Sequence, residues 1–219
     1  MGLSFSDWSS IDLEGVRFLR ILFCHGLWSH PGGSKHQYME SELGWEVNSL
    51  EMRRNGWNLS SQVRTVQEAI NADRSYDVLM GSSFGGLAIA NAVQGLSEDL
   101  RLVLLAPAFG VYDTLAKQIG DAELDAWKKD GHKTFIPPGW EEEVRIRWSF
   151  MEDASDASWP KVSHRTVILH GNNDDVVPIE NSRTAMRTSP IMELVEVDDG
   201  HRLAESLEFL QDVVAMVLD

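Results

Sequence analysis

Residues 81–85 read Gly-Ser-Ser-Phe-Gly, two serines framed by glycines directly after the apolar run Val78-Leu79-Met80. The run predicts a buried strand, and the small-residue-rich segment 84–92 predicts a helix. The glycines mark a tight strand-to-helix turn. In such a turn the middle residue is forced into a sparsely populated backbone conformation, and side chains at Gly81 and Gly85 would collide with neighbouring elements. The pattern is G-x-S-x-G, so Ser83 rather than Ser82 stands at the tip. A serine hydroxyl is a weak nucleophile near neutral pH and needs a base to take its proton during attack, a task suited to histidine. The carboxyl-terminal half supplies the partners in "HGNNDDVVP" (170–178) and "DDGHRL" (198–203). A serine at 83, an aspartate and His201 follow one recurring chain order of the serine triad. Asp174, Asp175, Asp198 and Asp199 all compete for the acid role, and spacing alone does not choose among them.

These groups need a scaffold. Short segments rich in branched and aromatic residues predict strands at 18–24, 45–50, 77–80, 102–106, 165–170 and 192–197. Helical patterns lie at 34–43, 60–72, 84–94, 180–188 and 203–218, the last with Leu203, Leu207, Leu210, Val214 and Val217 on one face. The alternation predicts a parallel sheet covered on both faces, with the ligand site beyond the carboxyl ends of its strands. His25-Gly26-Leu27 follows the first strand, the Ser83 turn the third, and the two acidic segments the fifth and sixth. Every candidate group therefore falls at one end of the sheet.

With these motifs placed, the chain resembles the α/β-hydrolase superfamily, in the form of a compact single-domain serine esterase. The likeness rests on H-G-x after the first strand, G-x-S-x-G-G at the turn, H-G-x-x-D-x-x-V-P at 170–178, and Gly200-His201 before the last helix. It covers most of the chain and departs at the amino end, where residues 1–16 are too polar and short for the superfamily's usual first two strands. The resemblance implies an α/β fold with a mostly parallel six-stranded sheet flanked by helices. It also implies one domain over 1–219, with a small helical cap at 108–160 between the fourth and fifth strands. By the same likeness Asp174 is the triad acid, with the backbone N–H groups of Leu27 and Phe84 as oxyanion donors. Within the cap, 121–131 and 139–155 read as amphipathic helices separated by Ile136-Pro137-Pro138-Gly139. Trp127, Trp140, Trp148 and Trp159 lie in this segment, and Trp28, Trp127 and Trp148 are the candidates for contact with substrate.

Other residues take structural readings. His25 and His170 are expected to brace their loops by hydrogen bonds, and Cys24, at the end of a buried strand, to pack in the core. No H-E-x-x-H or paired Cys/His spacing appears, so neither metal nor cofactor is expected. The chain has 219 residues, 43% hydrophobic and 24% charged, with 19 basic and 34 acidic side chains and a formal charge of −15. That charge opposes binding to phosphate backbones and anionic lipid, so neither nucleic acid nor membrane is expected as a partner. One cysteine, and acidic residues in place of a basic secretion leader, point to the cytoplasm. The expected partner is a small-molecule ester substrate, by the resemblance, with the protein itself a monomer or homodimer. The resemblance thus implies a carboxylesterase for small to medium neutral acyl esters. A thioesterase or C–C/amide hydrolase with the same triad is the first alternative, and a non-catalytic ligand receptor on the same fold is an alternative of another class.

Overall fold

A computed structural model describes residues 18–219. The expectation that residues 1–16 add no strand lies outside the described residues. The elements run β1 (Arg20–Cys24), α1 (Ser34–Ser41), β2 (Glu46–Leu50), α2 (Leu59–Ala72), β3 (Val78–Ser82), α3 (Phe84–Ala92), β4 (Arg101–Leu105), α4 (Val111–Ile119) and α5 (Asp121–Asp130). There follow β5 (His132–Phe135), β6 (Val144–Arg147), α6 (Ser149–Ala157), β7 (Arg165–Gly171), α7 (Ile179–Thr188), β8 (Met192–Val197) and α8 (Leu210–Leu218). The six expected strands form one sheet in the order β2-β1-β3-β4-β7-β8, every neighbour parallel.

Alternation along the strands sorts the core into two layers. Leu22 and Cys24 of β1, Leu79 of β3, Leu102 and Leu104 of β4 and Ile168 of β7 join α2 and α3 on one face. Their neighbours Ile21, Phe23, Val78, Met80, Val103, Leu105, Val167 and Leu169 join α8 on the other. Side chains on a pleated strand point to opposite faces in turn, so strands buried on both faces read as continuous apolar runs. The chain passes from β1 out to β2 and returns to β3 on the other side of β1. This reversal opens a crevice between the ends of β1 and β3, where open α/β sheets place their ligands.

Two expectations are corrected. The insertion after β4 is mixed rather than wholly helical: β5 and β6 pair as an antiparallel hairpin, Phe135 opposite Val144. The expected helix over 139–155 therefore begins only at Ser149. Val144 and Ile146 are buried while Arg145 and Arg147 are exposed, the two-residue period of a strand. The expected helix over 203–218 is also shortened, to Leu210–Leu218 preceded by a 3₁₀ turn at Leu207–Phe209. Leu203 has φ +53° and is fully buried, so the chain reverses there before the helix can start. Among the described residues no helix is long and apolar enough to cross a membrane.

Candidate active site

The turn after β3 is built around close backbone approach. A Cβ on Gly81 would lie 2.7 Å from the Gly86 backbone, and one on Gly85 would run into the carbonyl oxygens of Cys24 and His25 at the end of β1. With both positions open, Ser83 is held at φ +54°, ψ −120°, outside the usual regions for a residue with a side chain. Backbone bonds enforce this conformation. The Ser83 N–H donates to Leu105 O at 2.9 Å, and its carbonyl accepts from Ala108 N–H at 3.0 Å and Leu87 N–H at 3.2 Å. Ser82 ends β3 and is buried, whereas Ser83 faces the crevice.

His201 stands between Ser83 and Asp174. Its Nδ1 lies 2.7 Å from Asp174 Oδ2, and its Nε2 lies 3.0 Å from Ser83 Oγ. A carboxylate only accepts, so Nδ1 carries the hydrogen and Nε2 presents its lone pair to the serine hydroxyl. Such a chain can take the proton from Ser83 as its oxygen attacks an electrophile. The Asp174 carboxylate is fully buried and takes four donors. Oδ1 accepts the Val176 and Val177 N–H groups, each at 2.8 Å, and Oδ2 accepts His201 and, at 3.1 Å, His170 Nε2–H. Burial alone would raise its pKa. The hydrogen bonds from His170 and His201 outweigh that and hold the carboxyl well below the usual carboxylate range.

Two of the competing acids are engaged elsewhere. Asp198 Oδ1 accepts from Asn173 Nδ2 at 2.7 Å, and Asp199 caps the Gly200 and Glu205 amides at 2.6 and 2.9 Å. Asp175 is exposed on the rim of the cavity. His170 braces its loop and also reaches the acid itself. Its Nε2–H is shared with Val177 O at 3.0 Å and its Nδ1 meets Ser182 Oγ at 2.7 Å. Ser182 lies on α7 with no motif around it, so nothing in the sequence singled it out.

Leu27 and Phe84, the residues expected to supply oxyanion donors, line the same cavity as Ser83. Phe84 opens α3, so its N–H has no acceptor within the helix. Leu27 sits in the turn after β1, closed by Ser29 N–H to Gly26 O at 3.1 Å. A Cβ on Gly26 would lie 3.3 Å from Ser83 Cβ, which puts this turn directly against the serine. His25 Nδ1 donates to Gly26 O at 2.8 Å and its Nε2 accepts the Met52 N–H at 3.4 Å. Desolvation lowers the His25 pKa, consistent with Nε2 remaining an acceptor. Cys24 is fully buried, and desolvation pushes its thiol far above the ordinary range, which keeps it out of the chemistry.

A cavity of about 1040 Å³ opens over Ser83 and His201. Trp28 and Trp127 line it. Trp148 does not: it packs edge-on against Trp127 at 5.8 Å, behind the wall. Trp140, Phe135 and Phe150 take its place, and the choice between Trp140 and Trp148 was not legible without the hairpin that separates them. The rings form a continuous surface. Phe84 stacks on Phe150 at 5.4 Å, Phe150 on Trp127 at 6.4 Å, and Phe135 joins Trp127 to Trp28 at 5.3 and 5.8 Å. Trp127 Nε1–H is satisfied by Ile146 O at 3.1 Å, so this side chain can be buried without an unpaired donor. The rim is polar, with Lys35 and Arg202 beside Asp175 and Asp199.

Sheet order, crevice and the turn after β3 together define the α/β-hydrolase fold, and solved structures share it. Mouse alpha/beta hydrolase domain-containing protein 10 superposes with a TM-score of 0.70 at 20% identity, covering 90% of this chain and 87% of its own. Est1E from Butyrivibrio proteoclasticus gives 0.69 at 18%, covering 91% and 86%. The monoacylglycerol lipase of Paleococcus ferrophilus gives 0.66 at 18%, covering 91% and 93%. At these identities the likeness establishes the fold. No curated protein sequence matches the chain. The profile of the uncharacterised protein family UPF0227 matches residues 20–218, and the chain belongs to that family.

Proposed function

We propose that the protein is a serine carboxylesterase that cleaves small to medium neutral acyl esters through an acyl-serine intermediate. The observation that carries this reading is His201, hydrogen-bonded at once to Asp174 and to a Ser83 held at a strained backbone angle. In the first step Ser83 Oγ attacks the ester carbonyl carbon while its proton passes to His201 Nε2. The carbonyl oxygen becomes an oxyanion between the Leu27 and Phe84 amides. Collapse breaks the bond to the alcohol oxygen, which leaves with the proton from His201. Water then attacks the acyl-serine by the same route, releasing the carboxylic acid and restoring Ser83. Aromatic residues around the cavity suit an apolar acyl group. The esterase of Exiguobacterium antarcticum and the lipase of Paleococcus ferrophilus, both of this fold, lend the reading support by analogy.

The test is covalent labelling. A fluorophosphonate probe should modify Ser83 with one-to-one stoichiometry. Ser83→Ala should abolish labelling and lower turnover of p-nitrophenyl esters by about a million-fold, whereas Ser82→Ala retains most of both. An unlabelled, inactive wild-type protein that still binds esters would make it a receptor on the same fold. A preference for thioesters or amides would keep the triad and change the substrate class.

A further inference from the structure

The connection between β2 and α2 touches both the Leu27 turn and the insertion, and Arg53 stands at the meeting point. Its guanidinium carbon lies 5.2 Å from the Trp57 ring centroid and 5.3 Å from that of Trp140, two rings tilted at 59° with centroids 6.5 Å apart. The guanidinium thus fills the angle between them. Its Nε donates to Glu51 Oε1 at 3.2 Å and its Nη1 donates to Leu27 O at 3.4 Å, and the side chain is only 13% exposed. Trp57 belongs to the β2–α2 connection. Trp140 comes from the insertion, directly after Pro137-Pro138-Gly139. A planar guanidinium can rest its faces on aromatic rings while its edge donors stay aimed at acceptors, which an ammonium cannot do.

The end of this connection and the first turn of α2 carry further ties to the insertion. Asn58 Nδ2 donates to Ser149 Oγ at 3.0 Å, and the Ser60 N–H donates to Asp153 at 3.1 Å, both acceptors lying on α6. The connection's Met52 amide holds His25 at the base of the Leu27 turn. The turn and the insertion therefore lean on one strut. Arg53 reaches the turn's backbone and an insertion ring together, beside Trp57, whose ring lies 5.5 Å from Trp28 of the turn and 6.5 Å from Trp140.

We infer that Arg53 is a positioning residue for the hydrolysis proposed above, holding the Leu27 turn against Ser83 by means of a ring cluster whose outer member, Trp140, the insertion supplies. The inference rests on the esterase reading. It separates two roles for Trp140. As a wall alone, Trp140 would govern the binding of large acyl groups. As a support for Arg53, it sets the rate of the chemical step for every ester, including those that make least use of the acyl wall.

The experiment measures kcat and KM of the full chain on p-nitrophenyl acetate, whose two-carbon acyl group probes the serine with minimal wall contact. Active sites are titrated with fluorophosphonate so that rates refer to folded protein. Arg53→Met should lower kcat roughly tenfold to a hundredfold with little change in KM, since small displacements of an oxyanion donor cost that much. Trp140→Leu should lower kcat for acetate in the same direction, and Arg53→Lys should recover only part of the loss. The Arg53→Met/Trp140→Leu double variant should be no slower than Arg53→Met, because both act through one contact. If Arg53→Met does not fold, Arg53→Lys and Trp140→Leu decide the matter. Unchanged acetate kcat in the folded variants overturns the inference, as does a Trp140→Leu effect confined to KM of larger acyl esters, and both outcomes leave the esterase reading intact. A wild type that neither turns over acetate nor reacts with the probe overturns the esterase reading and this inference with it.

Discussion

Asp174 is surrounded by four hydrogen-bond donors and offers two acceptor oxygens, so its ionised form is matched to its setting and its amide is not. Whichever way an asparagine turned, its NH2 would face either the Val176 and Val177 amides or the two imidazoles. Asp174→Asn should therefore lower turnover by roughly four orders of magnitude with KM little changed. Steady-state kinetics on one ester check this, with Asp175→Asn, Asp198→Asn and Asp199→Asn staying near the wild-type rate. A second residue gives the site a pH dependence of its own. Lys35 Nζ donates to Arg202 O at 2.6 Å on the cavity rim. Desolvation lowers its pKa to about 8, against the attraction of Asp199 and with the repulsion of Arg202. The rim thus carries this positive charge below about 8 and loses it above. KM for an ester with a carboxylate on its alcohol part should rise as pH climbs from about 7 to about 9, with no such step for a neutral ester. Lys35→Arg should remove the step.

At the scale of elements, the β3–α3 turn works only while the end of β1 lies against it. Gly85→Ala places a methyl group on the carbonyl oxygens of Cys24, the last residue of a strand paired on both sides, and of His25 just beyond it, backbone atoms with little room to swing aside. The expected cost is about 3 kcal/mol, seen as a lower urea midpoint at unchanged slope. A variant as stable as wild type would show that β1 is free to shift and that the Ser83 geometry is less constrained than its backbone bonds imply. The insertion shows why a helix was expected where a strand forms. Residues 139–155 carry apolar residues at spacings that suit a helix, but Val144 and Ile146 also fit a two-residue period, and only the pairing with 132–135 decides between them. Likewise, the apolar face expected over 203–218 exists, yet Leu203 reaches the core from a reversed backbone rather than from a helix.

Across the whole molecule the charge of −15 sets a repulsive field for anions. The rim does not reverse it, since Lys35 and Arg202 are offset by Asp175 and Asp199. A carboxylate-bearing ester also meets a desolvation cost beside the aromatic wall. Neutral esters should therefore show higher kcat/KM than matched anionic ones, and the difference should narrow as salt rises, because screening weakens the long-range part alone. A paired-substrate comparison at low and moderate ionic strength checks this. A preference for the anionic ester that fades with salt would mean that the local cations outweigh the global field.

The sequence by itself determined the sheet and the identity of the groups at its carboxyl edge, because both are written in local patterns. Apolar runs of strand length specify buried strands, and glycines at 81 and 85 specify a turn that Ser83 alone can crown. The choice of Asp174 over Asp175, Asp198 and Asp199 came from likeness to the α/β-hydrolase superfamily, since loop spacing does not state direction. Tertiary structure supplied the physical reason, with four donors converging on Asp174 from β7, its following loop and the turn before α8. It also decided that Trp140 rather than Trp148 walls the cavity, that Ser182 supports His170, and that Arg53 joins the Leu27 turn to the insertion. Those contacts link residues 12 to 87 positions apart, and no local pattern records which distant side chain will arrive.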